Sequence, residues 1–241
     1  RNEKNVILKM NTGSGKTVVG LIMLQSCLNE EKGPAIYVVP DNYLVKQVID
    51  EAKRLGISAT VDKDDYNYSN SKAILVTSIQ TIVNGHSYFG MREAGNYPIG
   101  SIIIDDVHAC MDKIIDQFMI KIDAETDAYK ELIALFSSSL KDYNPKNYID
   151  VVEMKDCRNN MLVPYWEWQR QQDNIYRILT KYNNSDNTSI YFGLPLIERC
   201  LETCDCIITA SAIEISPKGI DLDKISSLEE ASRRIYMSAT L

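Results

Sequence analysis

Long apolar runs are missing from this sequence: none reaches the roughly 20 residues that a helix needs to cross a bilayer, so no membrane contact is expected. The first residues also lack the ordered charged, apolar and small-residue regions of a signal peptide. Positive charge is short. Lys and Arg number 26 against 33 Asp and Glu, and the net charge of −7 excludes a broad cationic coat for nucleic acid. It leaves room for a local track of backbone contacts. No internal repeat and no low-complexity segment occurs, which excludes solenoids and linkers. What is present is ordinary for a soluble globular protein, with 45% apolar and 24% charged residues. A length of 241 residues suits one large domain, or one domain carrying a sizeable insertion.

The most informative stretch is Asn11-Thr12-Gly13-Ser14-Gly15-Lys16-Thr17. It follows an apolar run, Asn5 to Met10, that reads as a short buried strand, and it precedes Val18 to Leu28, which reads as a helix packed on a sheet. Strand, glycine-rich turn, Lys-Thr and helix in that order form a phosphate-binding loop. Gly13 and Gly15 let the backbone turn so that successive N–H groups face one concavity, and the helix that follows adds its positive dipole end. Lys16 reaches the outer phosphates as a point charge, and the Thr17 hydroxyl is a ligand for Mg²⁺. The general pattern places Gly where Met10 stands. The competing reading is an ordinary Gly-rich turn with a surface lysine.

Further on, Ala35–Val39, Ala73–Thr77 and Ser101–Ile104 read as buried strands, separated by an amphipathic helix, Tyr43 to Leu55, and by polar loops. Pro40-Asp41-Asn42 starts that helix. Residues 85–100, rich in glycine, read as a surface loop. Two carboxylates, Asp105 and Asp106, stand at the end of the triple-isoleucine strand, where ligands bind in open α/β sheets. Alternating strands and helices therefore predict an α/β fold with a doubly wound parallel sheet. From Met111 the pattern changes to mainly helical, before two short strands, a capped helix near Ser226, and a last strand, Arg234–Met237, that ends in Ser238-Ala239-Thr240. The expected division is a nucleotide-binding domain of 1–110 and 205–241 with a mainly helical insertion at 111–204.

Asp105 can hold Mg²⁺, and Asp106 can orient the water that attacks a γ-phosphate, since phosphoryl transfer depends on positioning and charge neutralisation. The bland alternative is a salt-bridged rim pair. Taken together the motifs resemble the first RecA-like domain of a superfamily 2 DExD/H-box helicase. They are Thr12–Thr17, then Pro40 with Leu44 and Gln47, then Thr77 with Gln80, then Asp105-Asp106-Val107-His108, and finally Ser238-Ala239-Thr240. The resemblance implies an ATP site with Mg²⁺ in which Thr12, Gly13, Ser14, Gly15, Lys16 and Thr17 bind nucleotide and Asp105 holds the metal. It implies that Pro40, Asp41, Thr77 and Ser78 contact the DNA or RNA backbone, and that His108, Ser238 and Thr240 relay nucleotide state to that strand. It also implies a second RecA-like domain in the same polypeptide, without which hydrolysis should be poor. Both ends of the sequence read as cut from something longer.

Departures from the family's pattern are specific. Asp106 stands where Glu is usual, which draws the carboxylate back by roughly 1.5 Å. The double-glycine element between Pro40 and Thr77 is not recognisable. The insertion is similar in placement to the arch of the iron–sulfur helicases, but only Cys27 lies between the phosphate loop and the acids, so no such cluster is expected. With a nucleotide loop present, six cysteines point to free thiols in the cytoplasm. For Cys157, Cys200, Cys204 and Cys206, buried thiols compete with a zinc site that lacks paired C-x₂-C knuckles. For Tyr165, Trp166, Trp168 and Tyr176, a core face competes with base stacking. Two functions remain: a nucleic-acid-dependent ATPase motor, and a slow nucleotide switch that controls assembly with a protein partner through the insertion. A P-loop GTPase lacks its Asn-Lys-x-Asp signature here and leaves Ser-Ala-Thr unexplained.

Overall fold

The computed structural model describes residues 3–11, 13–90, 97–222 and 225–239. The order begins β1 (Asn5–Lys9), α1 (Lys16–Asn29), β2 (Ala35–Val39), α2 (Asn42–Arg54), β3 (Ala59–Thr60), α3 (Tyr66–Ser69) and β4 (Ile74–Ser78). It continues through α4 (Ile79–Ile82), β5 (Ser101–Ile104), α5 (Val107–Gln117), β6 (Ile120–Asp123), α6 (Asp127–Tyr143), α7 (Pro145–Tyr148) and β7 (Asn160–Leu162). The remainder is α8 (Tyr165–Arg170), α9 (Gln172–Lys181), α10 (Thr188–Ile197), β8 (Asp205–Thr209), β9 (Ala212–Ser216), α11 (Ser226–Glu230) and β10 (Arg233–Ser238). The chain divides into two compact units: Arg1–Ile115 with Leu222–Leu241, and Asp116–Asp221.

The first unit is built on a six-stranded sheet in the order β1-β10-β5-β2-β4-β3, and every pairing is parallel. Every residue of β2 and of β5 is buried, as a parallel sheet covered on both faces requires. On one face α1 and α2 supply Leu21, Leu24, Val48 and Ala52 to a core with Ala35, Tyr37, Val39, Ile103 and Met237. Because the strands run one way, their carboxyl ends share an edge: Lys9 lies opposite Ser238, Tyr236 and Val38 opposite Ile104, and Val39 opposite Ser78. Among the described residues, the phosphate loop, Pro40, Thr77, Asp105 and Ser238 fall at that edge.

Two expectations for this unit need correction. Strand β1 is not buried: it is an edge strand, and Ile7 remains 63% exposed. The segment 85–100 is not simply a surface loop. Its residues 91–96 lie outside those described, but Phe89 is fully buried, and its carbonyl accepts from Ser227 N at 3.1 Å.

The second unit carries its own sheet, in the order β6-β9-β8-β7, entirely antiparallel. Residues 205–216, expected in the nucleotide-binding sheet, form its β8 and β9, and β6 and β7 lie in what was read as helix and loop. The pattern explains it: in β6, Ile120 and Ile122 are buried while Lys121 and Asp123 are exposed, the signature of a one-sided antiparallel sheet. Helices α6 and α9 supply Leu132, Phe136, Leu140, Ile175 and Leu179 to the core of this unit. Trp168 belongs to that core, donating Nε1–H to the Leu201 carbonyl at 2.8 Å, whereas Tyr165 and Trp166 are exposed. Helices α8 and α9 are separated at Gln171, where the backbone leaves the helical region.

Candidate nucleotide site

Gly13 and Gly15 adopt φ of 78° and 80°, the left-handed region. A Cβ on either would meet nothing within 4 Å, so conformation rather than space selects glycine at both positions. Ser14 closes the turn: its N–H and its hydroxyl both donate to the Asn11 carbonyl, at 3.2 and 2.6 Å. Gly15 is the N-cap of α1, which begins at Lys16 and has no acidic residue in its first turn. The opening N–H groups of that helix and its dipole are thus offered to an anion with no carboxylate competing. Thr12 lies outside the described residues. The loop is rooted beside the last strand, because Met10 N donates to the Ser238 carbonyl at 2.9 Å.

The acidic motif starts where β5 ends. Asp105 N donates to the Val38 carbonyl at 2.9 Å, so the strand ladder holds its backbone. The Tyr37 hydroxyl donates to Asp105 Oδ2 at 2.8 Å. The Thr17 side chain lies close to the same hydroxyl. Burial pushes the Tyr37 phenol far above its ordinary range, and the Asp105 charge and hydrogen bond add to that, opposed in part by Thr17. Asp105 Oδ1 is buried and has no hydrogen-bond partner. A buried carboxylate oxygen with no donor suits a cation.

Asp106 turns the chain out of the sheet with φ of 50°, and its carbonyl accepts from Cys110 N at 3.0 Å. Its side chain, like that of His108 in the first turn of α5, is exposed. Cys110 closes the corner by donating its thiol to the Asp105 carbonyl at 3.2 Å. Burial, then the nearby carboxylates, push that thiol up to about 12.

Of the other expected site residues, Pro40 is buried and Asp41 is the N-cap of α2 without a side-chain capping bond. The Asp41 carboxylate instead pairs with Lys113 Nζ at 3.1 Å. Thr77 and Ser78 end β4, and Ser78 Oγ lies 3.3 Å from Thr81 Oγ1. Ser238 ends β10 and is buried; Thr240 lies outside the described residues. The structure ties Asp105 to Tyr37, a residue that reads in the sequence as one more apolar position of β2. Its only signal was a hydroxyl in an otherwise hydrocarbon strand. Lys113 was missed as well.

Among the described residues no group of three or more His, Cys, Asp or Glu side chains is arranged to hold a metal. Magnesium needs less, since it keeps several waters and takes one or two protein oxygens with substrate phosphates. Cys204 and Cys206 are buried in the second unit; burial raises the Cys206 thiol, and Cys204 Sγ donates to the Cys200 carbonyl at 3.5 Å.

Comparison with known proteins gives a family and a fold. The sequence profile described as "Type III restriction enzyme, res subunit" matches residues 1–148, more than half of the chain. No curated protein sequence matches. Among solved structures, one titled for Xpd4 of S. tokodaii superimposes with a TM-score of 0.52 at 17% identity, covering 99% of this chain and 54% of that one. Another, an apo XPD structure, gives a TM-score of 0.52 at 16% identity, covering 100% of this chain and 51% of that one. The chain spans about half the length of those two structures. With its parallel sheet and its motifs at one edge, the chain belongs to the family of type III restriction enzyme res subunits, as a first RecA-like domain of the superfamily 2 helicase type.

Proposed function

We propose that the chain is the ATP-binding half of a nucleic-acid-dependent ATPase, a helicase or translocase, hydrolysing ATP to move on DNA or RNA. The observation that carries the reading is that loop, acids and Ser238 all lie at one edge of one parallel sheet, where Asp105 keeps one buried oxygen without a hydrogen-bond partner. In this reading the N–H groups of residues 13–17 and the Lys16 ammonium bind the β- and γ-phosphates. Thr17 Oγ and Asp105 Oδ1 would hold Mg²⁺, which when bound neutralises charge on the phosphates. Asp106, exposed beyond the strand end, orients the attacking water and accepts its proton.

Nucleic acid is expected along the same edge. Asp41 pairs with Lys113 and so repels a phosphate less than a bare carboxylate would, while the first N–H groups of α2 face outward from Asp41. Ser78 is buried, so the half-buried Thr77 beside it would contribute the hydroxyl, and His108, Ser238 and Thr240 would couple the two sites. The second RecA-like domain would close over the nucleotide, and residues 111–204 would meet a protein partner. The compact unit Asp116–Asp221, with a sheet and core of its own, supports the switch reading to that extent.

The test is ATP turnover of the wild type and of Lys16→Ala, each with and without single-stranded nucleic acid. The reading expects stimulation in the wild type and none in the variant. Nucleotide binding with unstimulated turnover, together with loss of partner binding when 116–221 is deleted, would favour the switch.

A further inference from the structure

We propose that Tyr37 is a positioning residue for the Mg²⁺ of this site, its hydroxyl fixing which oxygen of Asp105 faces the metal. The proposal rests on the nucleotide-site reading above and goes beyond it, since no motif includes Tyr37.

The argument begins with donors and acceptors. The phenolic proton of Tyr37 goes to Asp105 Oδ2 at 2.8 Å, and this leaves Oδ1 as the buried oxygen without a partner. One hydroxyl thus sets which Asp105 oxygen is free to take a cation. Metal-binding groups are commonly oriented in this way by a partner that never touches the metal.

The ring is held firmly. Tyr37 is fully buried at the middle of β2, opposite Val76 on one side and Ile103 on the other. On α1, one turn beyond Thr17, stands Gly20, and a Cβ there would lie 2.8 Å from Tyr37 Cε2. The helix therefore leaves out a side chain where the ring passes. Packing alone does not call for the hydroxyl: the neighbours Ala35, Ile36, Val38 and Val39 are all hydrocarbon, and phenylalanine fills the same space. A buried hydroxyl costs free energy unless it is bonded, and this one is bonded to Asp105 of the candidate metal site.

The experiment compares the wild-type chain with Tyr37→Phe, titrating a fluorescent ATP analogue once in excess EDTA and once in Mg²⁺. The expected result is that Mg²⁺-free affinity stays within about twofold while the gain on adding Mg²⁺ shrinks by about tenfold, the usual effect of losing such an orienting partner. An undiminished Mg²⁺-dependent gain in Tyr37→Phe would overturn the inference and leave the nucleotide site standing. Equal loss with and without Mg²⁺, together with a lower melting temperature, would also overturn it, because the hydroxyl would then serve the fold alone. A wild-type chain that binds no analogue under either condition would overturn the nucleotide site and the inference with it.

Discussion

At the scale of single residues the decisive positions are those where the backbone or a proton is placed at a cost. Asp106 holds a φ of 50°, a conformation that aspartate tolerates better than most residues because its short side chain bonds locally. The turn carries the second carboxylate out of the sheet and into solvent, where a water can reach it. Asp106→Asn keeps that geometry and removes the base, so turnover should fall by about 100-fold while ATP affinity is retained. Unchanged turnover in a steady-state assay would remove Asp106 from the mechanism. The cysteines offer a second check at this scale. Burial raises the thiols of Cys110 and Cys206, so each stays protonated, whereas Cys157 is exposed. Iodoacetamide at pH 8 should label Cys157 and spare the other two until the chain unfolds. Mass spectrometry of the alkylated peptides reads this directly.

At the scale of elements the contact of α1 with β2 sets the site. In an ordinary helix Gly20→Ala would stabilise by about 1 kcal/mol. Here the new methyl meets the Tyr37 ring at 2.8 Å and Met237 Cε at 3.0 Å, and overpacking of this kind costs about 1–3 kcal/mol. Overpacking should win, lowering the melting temperature by about 2–4 °C per kcal/mol lost. A rise in melting temperature would show that the ring yields. The same elements show what could be read from the sequence. β2, β4 and β5 were legible because strands buried on both faces are largely apolar, β10 because of its Ile235-Tyr236-Met237 run, and the phosphate loop because its chemistry is local. β6 and β7 were not, since Ile120-Lys121-Ile122-Asp123 is only two alternations long and stands between helical patterns. Consequently Cys206–Ala210 and Ile213–Ile215 were paired with the wrong sheet. Tyr37 was hidden for another reason: in a buried strand an aromatic counts as core, and only the neighbours brought by the fold reveal its hydroxyl.

At the scale of the whole molecule, the net charge of −7 and the Asp41–Lys113 pair mean that nucleic acid would be held mainly by backbone N–H groups and hydroxyls. Such contacts release few counterions. Binding to single strands should therefore weaken only mildly with salt, with a log–log slope shallower than about −3 in a fluorescence anisotropy titration. A steep slope would point to a cationic track elsewhere. The central claim is that the edge of the six-stranded sheet is half of an ATP-driven motor. It is tested most directly by ATP turnover of the protein with both RecA-like domains present, with and without single-stranded DNA or RNA, in the wild type and in Lys16→Ala. The account predicts turnover that rises with nucleic acid in the wild type and is lost in Lys16→Ala. Equal turnover in the two proteins, or turnover indifferent to any nucleic acid, would contradict it.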